Sequence, residues 1–278
     1  MGYEQAIDAQ LLPVVRHLEQ ERPGEAVGVY LFGSAVSSGL RPDSDIDLMM
    51  LTIRSMTAVE RRALVDLLLR VSGRRGHADT FPDAADRRPI ELTSLVSTPS
   101  EPWATAPQRD FQYGEWLRKD LIRGDLPAPA DDPDVVLLAA TALQAHRVLF
   151  GPALDTLLAP IPRDVLHDAV IAAVPEVLAG LAGDERNTLL TLARALVTLE
   201  TGRIVSKDAA VDMIADSLSG RERALLQRAR NEYRCAAARG WVSDDGDVIA
   251  LADQLAHRAK KFSTQRRTPI EPGDPSAR

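Results

Sequence analysis

The 278-residue chain contains a single cysteine, Cys235, so it can form no internal disulfide and has no Cys-x-x-Cys metal or redox motif. That usage fits a reducing compartment, and the cytoplasm is the expected location. Long hydrophobic runs are also missing. Nothing approaches the ~18 apolar residues of a membrane span, and the opening MGYEQAIDAQ lacks the apolar stretch of a secretion signal. No membrane partner is expected. Positive charge is in deficit, with 33 Lys and Arg against 40 Asp and Glu and a formal net charge of -7. Aromatic residues make up only 4%, and no basic, aromatic-interleaved stripe exists. A chain of that sign and composition is a poor ligand for polyanions, so no nucleic-acid partner is expected, whereas cationic small molecules are electrostatically welcome. The five histidines, His17, His77, His146, His167 and His257, show no ligand spacing, which argues against zinc. What remains, 45% hydrophobic and 26% charged, is ordinary globular composition, long enough for one or two domains with a real core.

The first half reads as an α/β unit. Residues 5–20 fit a helix with Pro13 as a local flaw, and Pro23-Gly24 breaks it. AVGVYLF (26–32) is a short run of β-branched and aromatic residues, the pattern of a buried strand. IDLMMLTI (46–53) and PIELTSLV (89–96) repeat that pattern, with an amphipathic helix at 58–71 between them. LPAPADDPD (126–134) reads as a linker. Beyond it strand signals vanish, and helical patterns recur at 135–149, 163–180, 186–201, 207–218, 221–239 and 247–262. The reading is therefore an α/β domain over 1–130, an all-helical domain over 131–262 and a polar, Pro-rich, disordered tail over 263–278.

Chemistry concentrates between the first two strands. The first delivers Gly33-Ser34 into a loop dense in Gly, Ser, Pro and Asp; the second opens on Asp45-Ile46-Asp47. Strand side chains alternate, so Asp45 and Asp47 leave on one face while Ile46 enters the core. Two carboxylates on one face repel unless a cation lies between them, and Mg²⁺ is suited to a few carboxylates plus substrate phosphates. A glycine allows close backbone approach to a phosphate, and the Ser34 hydroxyl can donate to it. Glu91 sits between Ile90 and Leu92 in the third strand. It is either the wet side of an edge strand or a third acid of the site, as metal ligand or general base.

In the helical half, Asn187, Thr191, Arg194 and Thr198 share one helix face, which is either a solvated stripe or a binding face. Gly202 is a helix terminator and Ser206 an N-cap, which puts Lys207 in a first turn. A cation there opposes the helix dipole by ~0.3–1 kcal/mol, a penalty that a phosphate or the neighbouring Asp208 would relieve. Asp184 reads as the N-cap of the preceding helix or as a ligand for a cation. Trp116, flanked by Glu115 and Arg118, is expected to be partly exposed, and Cys235 to be a small buried hydrophobe.

LFGSAVSSGLRPDSDIDLMM resembles the signature of the nucleotidyltransferase superfamily. FQYGEWLRKDLIRG (111–124) and GDERNTLLTLARALVTLETGRIVSKDAA (183–210) narrow the likeness to the aminoglycoside (3″)(9) adenylyltransferases, over residues 27–235. The resemblance implies a polymerase-β-like nucleotidyltransferase domain followed by a helical bundle. It implies AMP transfer from ATP, with two magnesium ions, to a hydroxyl of a cationic aminoglycoside or aminocyclitol, and so antibiotic resistance. By the same likeness Asp45 and Asp47 hold the magnesium, Ser34 touches the phosphates and Glu91 is the base. Trp116 and Asp184 bind the drug, and Arg194, Lys207 and Tyr233 reach the nucleotide. Members that accept streptomycin carry a Trp and an acid nine and four residues before the Asp of GDERN; here Pro175 and Gly180 stand there, which favours spectinomycin. A monomer is expected. A nucleotide-binding regulator or antitoxin of the same fold is the alternative, and the presence of all three acids argues against it.

Overall fold

The computed structural model describes residues 3–37, 39–41, 44–73, 87–97, 103, 108–235, 241 and 246–265. The chain divides into two compact units. One comprises Met1–Leu166 and Tyr233–Ala237; the other comprises His167–Glu232 and Ala238–Arg278.

The first unit is built on a six-stranded sheet of β1 (Ala26–Phe32), β2 (Ile46–Thr52), β3 (Ile90–Val96), β4 (Gln108–Tyr113), β5 (Ala130–Asp131) and β6 (Arg147–Phe150), in the order β5-β4-β3-β2-β1-β6. Only β2 and β3 run parallel; every other neighbouring pair is antiparallel. Alternation sorts the side chains between two cores. Val29, Leu31, Ile46, Leu48, Met50, Ile90 and Leu92 face α1 (Tyr3–Glu21) and α3 (Ala58–Val71). Tyr30, Phe32, Met49, Leu51 and Leu95 face α5 (Asp134–Gln144). Helix α1 meets its core with Ile7, Leu11, Val14 and Leu18, the spacing of one helical face, and tolerates Pro13 within it. Helix α3 starts at a capping box: the Thr57 hydroxyl accepts from the Glu60 amide at 3.3 Å, and the Glu60 carboxylate accepts from the Thr57 amide at 2.7 Å. At the far end of β2, Arg61 and Asp110 form a buried ion pair at 2.7 Å, with Ser55 and the Met56 amide also donating to Asp110.

The sheet departs from the sequence reading in three places. Strand β4 overlaps the start of the motif at 111–124 and has no strand expectation, β5 falls inside the expected linker, and β6 occupies the end of the helix expected over 135–149. The chain leaves α5 at Ala145, whose backbone is extended, and Arg147–Phe150 then pairs with β1. Four residues, one arginine and three apolar, carry no periodicity of their own, so pairing across the sheet decides their state. The sheet thus continues past residue 130, where the sequence pattern ends the first domain.

In the second unit the described residues form helices: α7 (Glu185–Thr201), α8 (Lys207–Ile214), most of α9 (Gly220–Cys235), α10 (Gly246–Gln265), and α6 (Arg163–Ala179) from His167 onward. Helix α7 is central, with Leu189, Leu190, Leu192, Ala193, Leu196 and Val197 buried against α8 and α10. It ends at Gly202, which takes φ +71° and donates its amide to the Thr198 carbonyl. Helix α10 runs three residues into the segment expected to be a disordered tail; 266–278 lie outside the described residues. Cys235 is exposed, contrary to expectation. It is the last residue of α9, a mostly polar helix whose buried side is only Leu226, Ala229 and Glu232.

Candidate active site

Strand direction gathers the sequence-predicted acids at one edge of the sheet. The antiparallel β1 ends where the parallel pair β2 and β3 begins, so the end of one and the starts of two meet there. Phe32 pairs with Asp47, and Asp47 pairs with Glu91. Register partners on adjacent strands project to the same face, so Asp47 and Glu91 stand side by side on the face of Phe32 and Met49. Both are part-exposed, whereas their neighbours Ile46, Leu48, Ile90 and Leu92 are buried on the opposite face. Asp45 is also part-exposed and directly precedes β2; the Ile46 amide donates to the Pro89 carbonyl and ties the starts of the two strands together.

Above this row the chain turns at Gly33 into the single turn α2 (Ser34–Ser37). Gly33 has φ +70°, and a Cβ there would lie 2.1 Å from Asp47 Oδ2. Both facts demand glycine: left-handed backbone, and a carboxylate in the space a side chain would need. The Val36 and Ser37 amides and the Ser37 hydroxyl all donate to the Gly33 carbonyl. Ser34 thereby opens its turn beside Asp47.

Trp116 reaches the same edge from β4. Leu92 pairs with Tyr113, so Glu91 and Gly114 are the next residues outward on these two strands. The chain then enters a 3₁₀ turn, Glu115–Leu117, ahead of α4 (Arg118–Arg123); the turn folds the Trp116 ring over Gly114, and a Cβ on Gly114 would lie 2.3 Å from ring atoms. Trp116 is 56% exposed, in line with the partial exposure expected from its sequence. Its neighbours are not exposed with it: Arg118 is buried, and Glu115 accepts from Arg118 Nε at 2.6 Å, from Ser72 Oγ at 2.7 Å and from the Tyr113 hydroxyl at 2.9 Å. Burial pushes the Glu115 carboxyl up, but Arg118, Ser72 and Tyr113 outweigh it and hold the group below the ordinary carboxylate range. Burial together with the Glu115 charge pushes the Tyr113 hydroxyl up. Sequence reasoning read Glu115 and Arg118 only as signs of exposure; their i, i+3 spacing is the signal of a paired couple.

The donors suit a hard cation. Among the described residues no group of three or more His, Cys, Asp or Glu could hold a metal ion by itself. Two oxygen-only aspartates beside a glycine turn match the way Mg²⁺ is bound, by one or two carboxylates with the remaining positions left to phosphate and water.

The second unit carries Asp184, Arg194 and Lys207. Asp184 occupies the N-cap position of α7 but makes no side-chain cap hydrogen bond. Its carboxylate instead accepts from Asn187 Nδ2 at 2.9 Å, and Asn187 Oδ1 accepts from Lys207 Nζ. Lys207 opens α8 directly after the N-cap Ser206, whose hydroxyl accepts from the Ala209 amide and donates to Asp208. Arg194 lies on α7 with Asn187 and Thr191 on a part-exposed face; Thr198 is buried and returns its hydroxyl to the Arg194 carbonyl at 2.9 Å. Tyr233 lies in the last turn of α9, in the segment that belongs to the first unit.

Residues 156–258 match the family model for the C-terminal domain of aminoglycoside adenylyltransferases. A spectinomycin 9-adenylyltransferase of Staphylococcus aureus is 38% identical over 229 residues, 82% of this chain and 86% of its own. An aminoglycoside (3″)(9) adenylyltransferase of Klebsiella pneumoniae is 33% identical over 255 residues, 90% of each chain. Among solved structures, a spectinomycin adenyltransferase of Enterococcus faecalis, crystallised with ATP and spectinomycin, superposes with a TM-score of 0.81 at 27% identity, covering 93% of this chain and 100% of that one. The chain therefore belongs to the aminoglycoside and spectinomycin adenylyltransferases, with a nucleotidyltransferase domain and a helical C-terminal domain.

Proposed function

We propose that this chain transfers AMP from ATP to a hydroxyl of an aminocyclitol antibiotic, spectinomycin in preference to streptomycin, with release of pyrophosphate and resistance as the outcome. The observation that carries this reading is the in-register pair Asp47 and Glu91 beneath the Gly33 turn. Asp45 and Asp47 hold magnesium, which supplies positive charge to the ATP triphosphate. The turn at Gly33-Ser34 lets backbone approach the phosphates, and the Ser34 hydroxyl donates to them. Glu91 accepts the proton of the drug hydroxyl. That oxygen bonds to the α-phosphorus as the bond to the bridging oxygen breaks, and pyrophosphate carries the electron pair away. Trp116 gives the drug a flat, part-exposed wall at this edge. Asp184 pairs with a drug ammonium, and Arg194, Lys207 and Tyr233 bind the nucleotide. The net charge of -7 favours the cationic drug over nucleic acid.

Incubation of the protein with ATP, Mg²⁺ and spectinomycin tests this. The expected product is spectinomycin heavier by one adenylyl group, formed one-to-one with pyrophosphate. An unmodified drug with intact ATP contradicts the reading.

A further inference from the structure

Beneath the site lies a polar cluster that AMP transfer does not use directly. The Ser72 hydroxyl, 2% exposed, accepts from the Ile90 amide at 3.0 Å and donates to Glu115 Oε1 at 2.7 Å. Glu115 also accepts from the buried Tyr113 hydroxyl and from both Nε and Nη2 of Arg118. Arg118 in turn donates through Nη1 to the Leu69 carbonyl at 3.1 Å and through Nη2 to the Tyr113 hydroxyl at 3.2 Å. One carboxylate thus ties together the end of α3, the first residue of β3, the last residue of β4 and the 3₁₀ turn.

Each tie falls one residue from a reacting or binding group or beside it. Ile90 precedes Glu91, Glu115 precedes Trp116, and Tyr113 precedes the Gly114 on which the Trp116 ring lies. Buried ion pairs add little net stability compared with apolar packing of the same volume, because desolvation opposes the attraction. What a charged, multiply bonded cluster supplies instead is fixed geometry: an apolar substitute could fill the volume but could not specify where the Ile90 amide and the 3₁₀ turn must sit.

We propose that Ser72 and Glu115 are positioning residues that, through the Ile90 amide and the 3₁₀ turn, fix where Glu91 and Trp116 stand for the drug. The inference rests on the reading of Glu91 as base and Trp116 as drug platform. The two contacts of Ser72 divide the labour. Its acceptor side holds the backbone of β3 where Glu91 emerges, and its donor side holds the carboxylate that orients the Trp116 turn.

The test is steady-state kinetics with ATP and spectinomycin on the wild-type protein, Ser72→Ala, Ser72→Thr and Glu115→Gln. Each is assayed well below its own melting temperature. A small misplacement of a base costs rate rather than nucleotide affinity, so Ser72→Ala and Glu115→Gln should lower kcat by about tenfold to a hundredfold while the KM for ATP stays within about twofold. Glu115→Gln should in addition raise the KM for spectinomycin, because the Trp116 turn loosens. Ser72→Thr keeps the hydroxyl and should stay within about threefold of wild type in kcat. Unchanged kcat in Ser72→Ala and Glu115→Gln, or a Ser72→Thr as slow as Ser72→Ala, overturns the positioning role. So does a KM for ATP that rises in step with the loss of kcat, the mark of general loosening. If Ser72→Ala does not fold, Glu115→Gln and Ser72→Thr decide the matter by the same criteria. A wild-type protein that modifies no drug overturns the proposed function and this inference together; an active wild type with indifferent variants overturns only the inference.

Discussion

At Gly33 two independent constraints coincide, a left-handed φ of +70° and the Asp47 carboxylate in the space of a Cβ. Gly33→Ala should therefore fail twice: left-handed strain of ~1–2 kcal/mol lowers the melting temperature, and the displaced Asp47 carboxylate weakens metal-dependent transfer. Thermal melts and initial rates on one preparation separate the two effects. A variant that melts lower yet turns over normally would mean that Asp47 works from a different position. Gly114→Ala poses a cleaner question, because its backbone is extended and carries no such strain. The added methyl pushes the Trp116 ring off Gly114, so the KM for spectinomycin should rise severalfold with the KM for ATP unchanged; equal KM values for the drug would remove Trp116 from the site. The placement of most of the candidate residues was legible at this scale. Asp47 and Glu91 follow from alternation along strands, Asp45 from its place directly before β2, and Gly33 from its turn. Ser72 was not legible, because a serine after a helix has no sequence mark until β3 is seen to place its Ile90 amide against it.

Among the elements, the strands β1, β2 and β3 and the helices α1, α3, α6 and α7 were readable within a residue or two, whereas α5 and α8 stop short of their expected ends and α10 runs past its own. The edge strands β5 and β6 and the inner strand β4 were not readable, since AD, RVLF and QRDFQY lack the alternation that marks a strand and are fixed only by pairing. Two elements carry energetic predictions. Asp110 anchors β4 to α3 through Arg61 and to the end of β2 through Ser55 and Met56. Asp110→Ala leaves a buried guanidinium without its carboxylate and should destabilise the first unit by about 3–5 kcal/mol, read in denaturant melts. The second concerns acid. Glu115 is held below its ordinary value of 4.5 in the folded chain. A depressed carboxyl contributes stability above its unfolded value and loses that contribution as pH falls through the lower folded value. Wild-type stability should therefore drop as pH falls below about 4.5 more steeply than that of Glu115→Gln, in which this group cannot titrate. Parallel pH profiles for the two proteins would show that Arg118 and Ser72 do not bias the carboxyl.

For the whole molecule the sharpest consequence is substrate choice. Residues 175 and 180 are proline and glycine, which offer neither a stacking ring nor a carboxylate. Pro175 lies within α6 and Gly180 directly follows it. The family likeness puts these positions at the streptomycin site, so the proposed reading predicts that streptomycin's guanidinium groups lack partners, at a cost of about 1–3 kcal/mol for each missing contact. Expression in a susceptible host should raise the inhibitory concentration of spectinomycin and leave that of streptomycin nearly unchanged. Equal protection would show that other residues receive the guanidinium groups. Fold class was legible at this scale because the Gly-Ser and Asp-x-Asp segments sit between strands. The end of the sheet was not, because β6 is recruited from a segment that continues a helical pattern and is committed by β1 alone.

Glu91, as the group that takes the drug's proton, is the centre of the proposed chemistry. The most direct measurement is the rate of AMP transfer to spectinomycin by Glu91→Gln, with ATP binding followed by calorimetry on the same sample. A carboxamide keeps the shape and loses the basicity, so ATP should bind as in wild type while turnover falls at least ~100-fold. Turnover at the wild-type rate, or loss of ATP binding in place of turnover, would contradict the assignment and make Glu91 a metal ligand or a bystander.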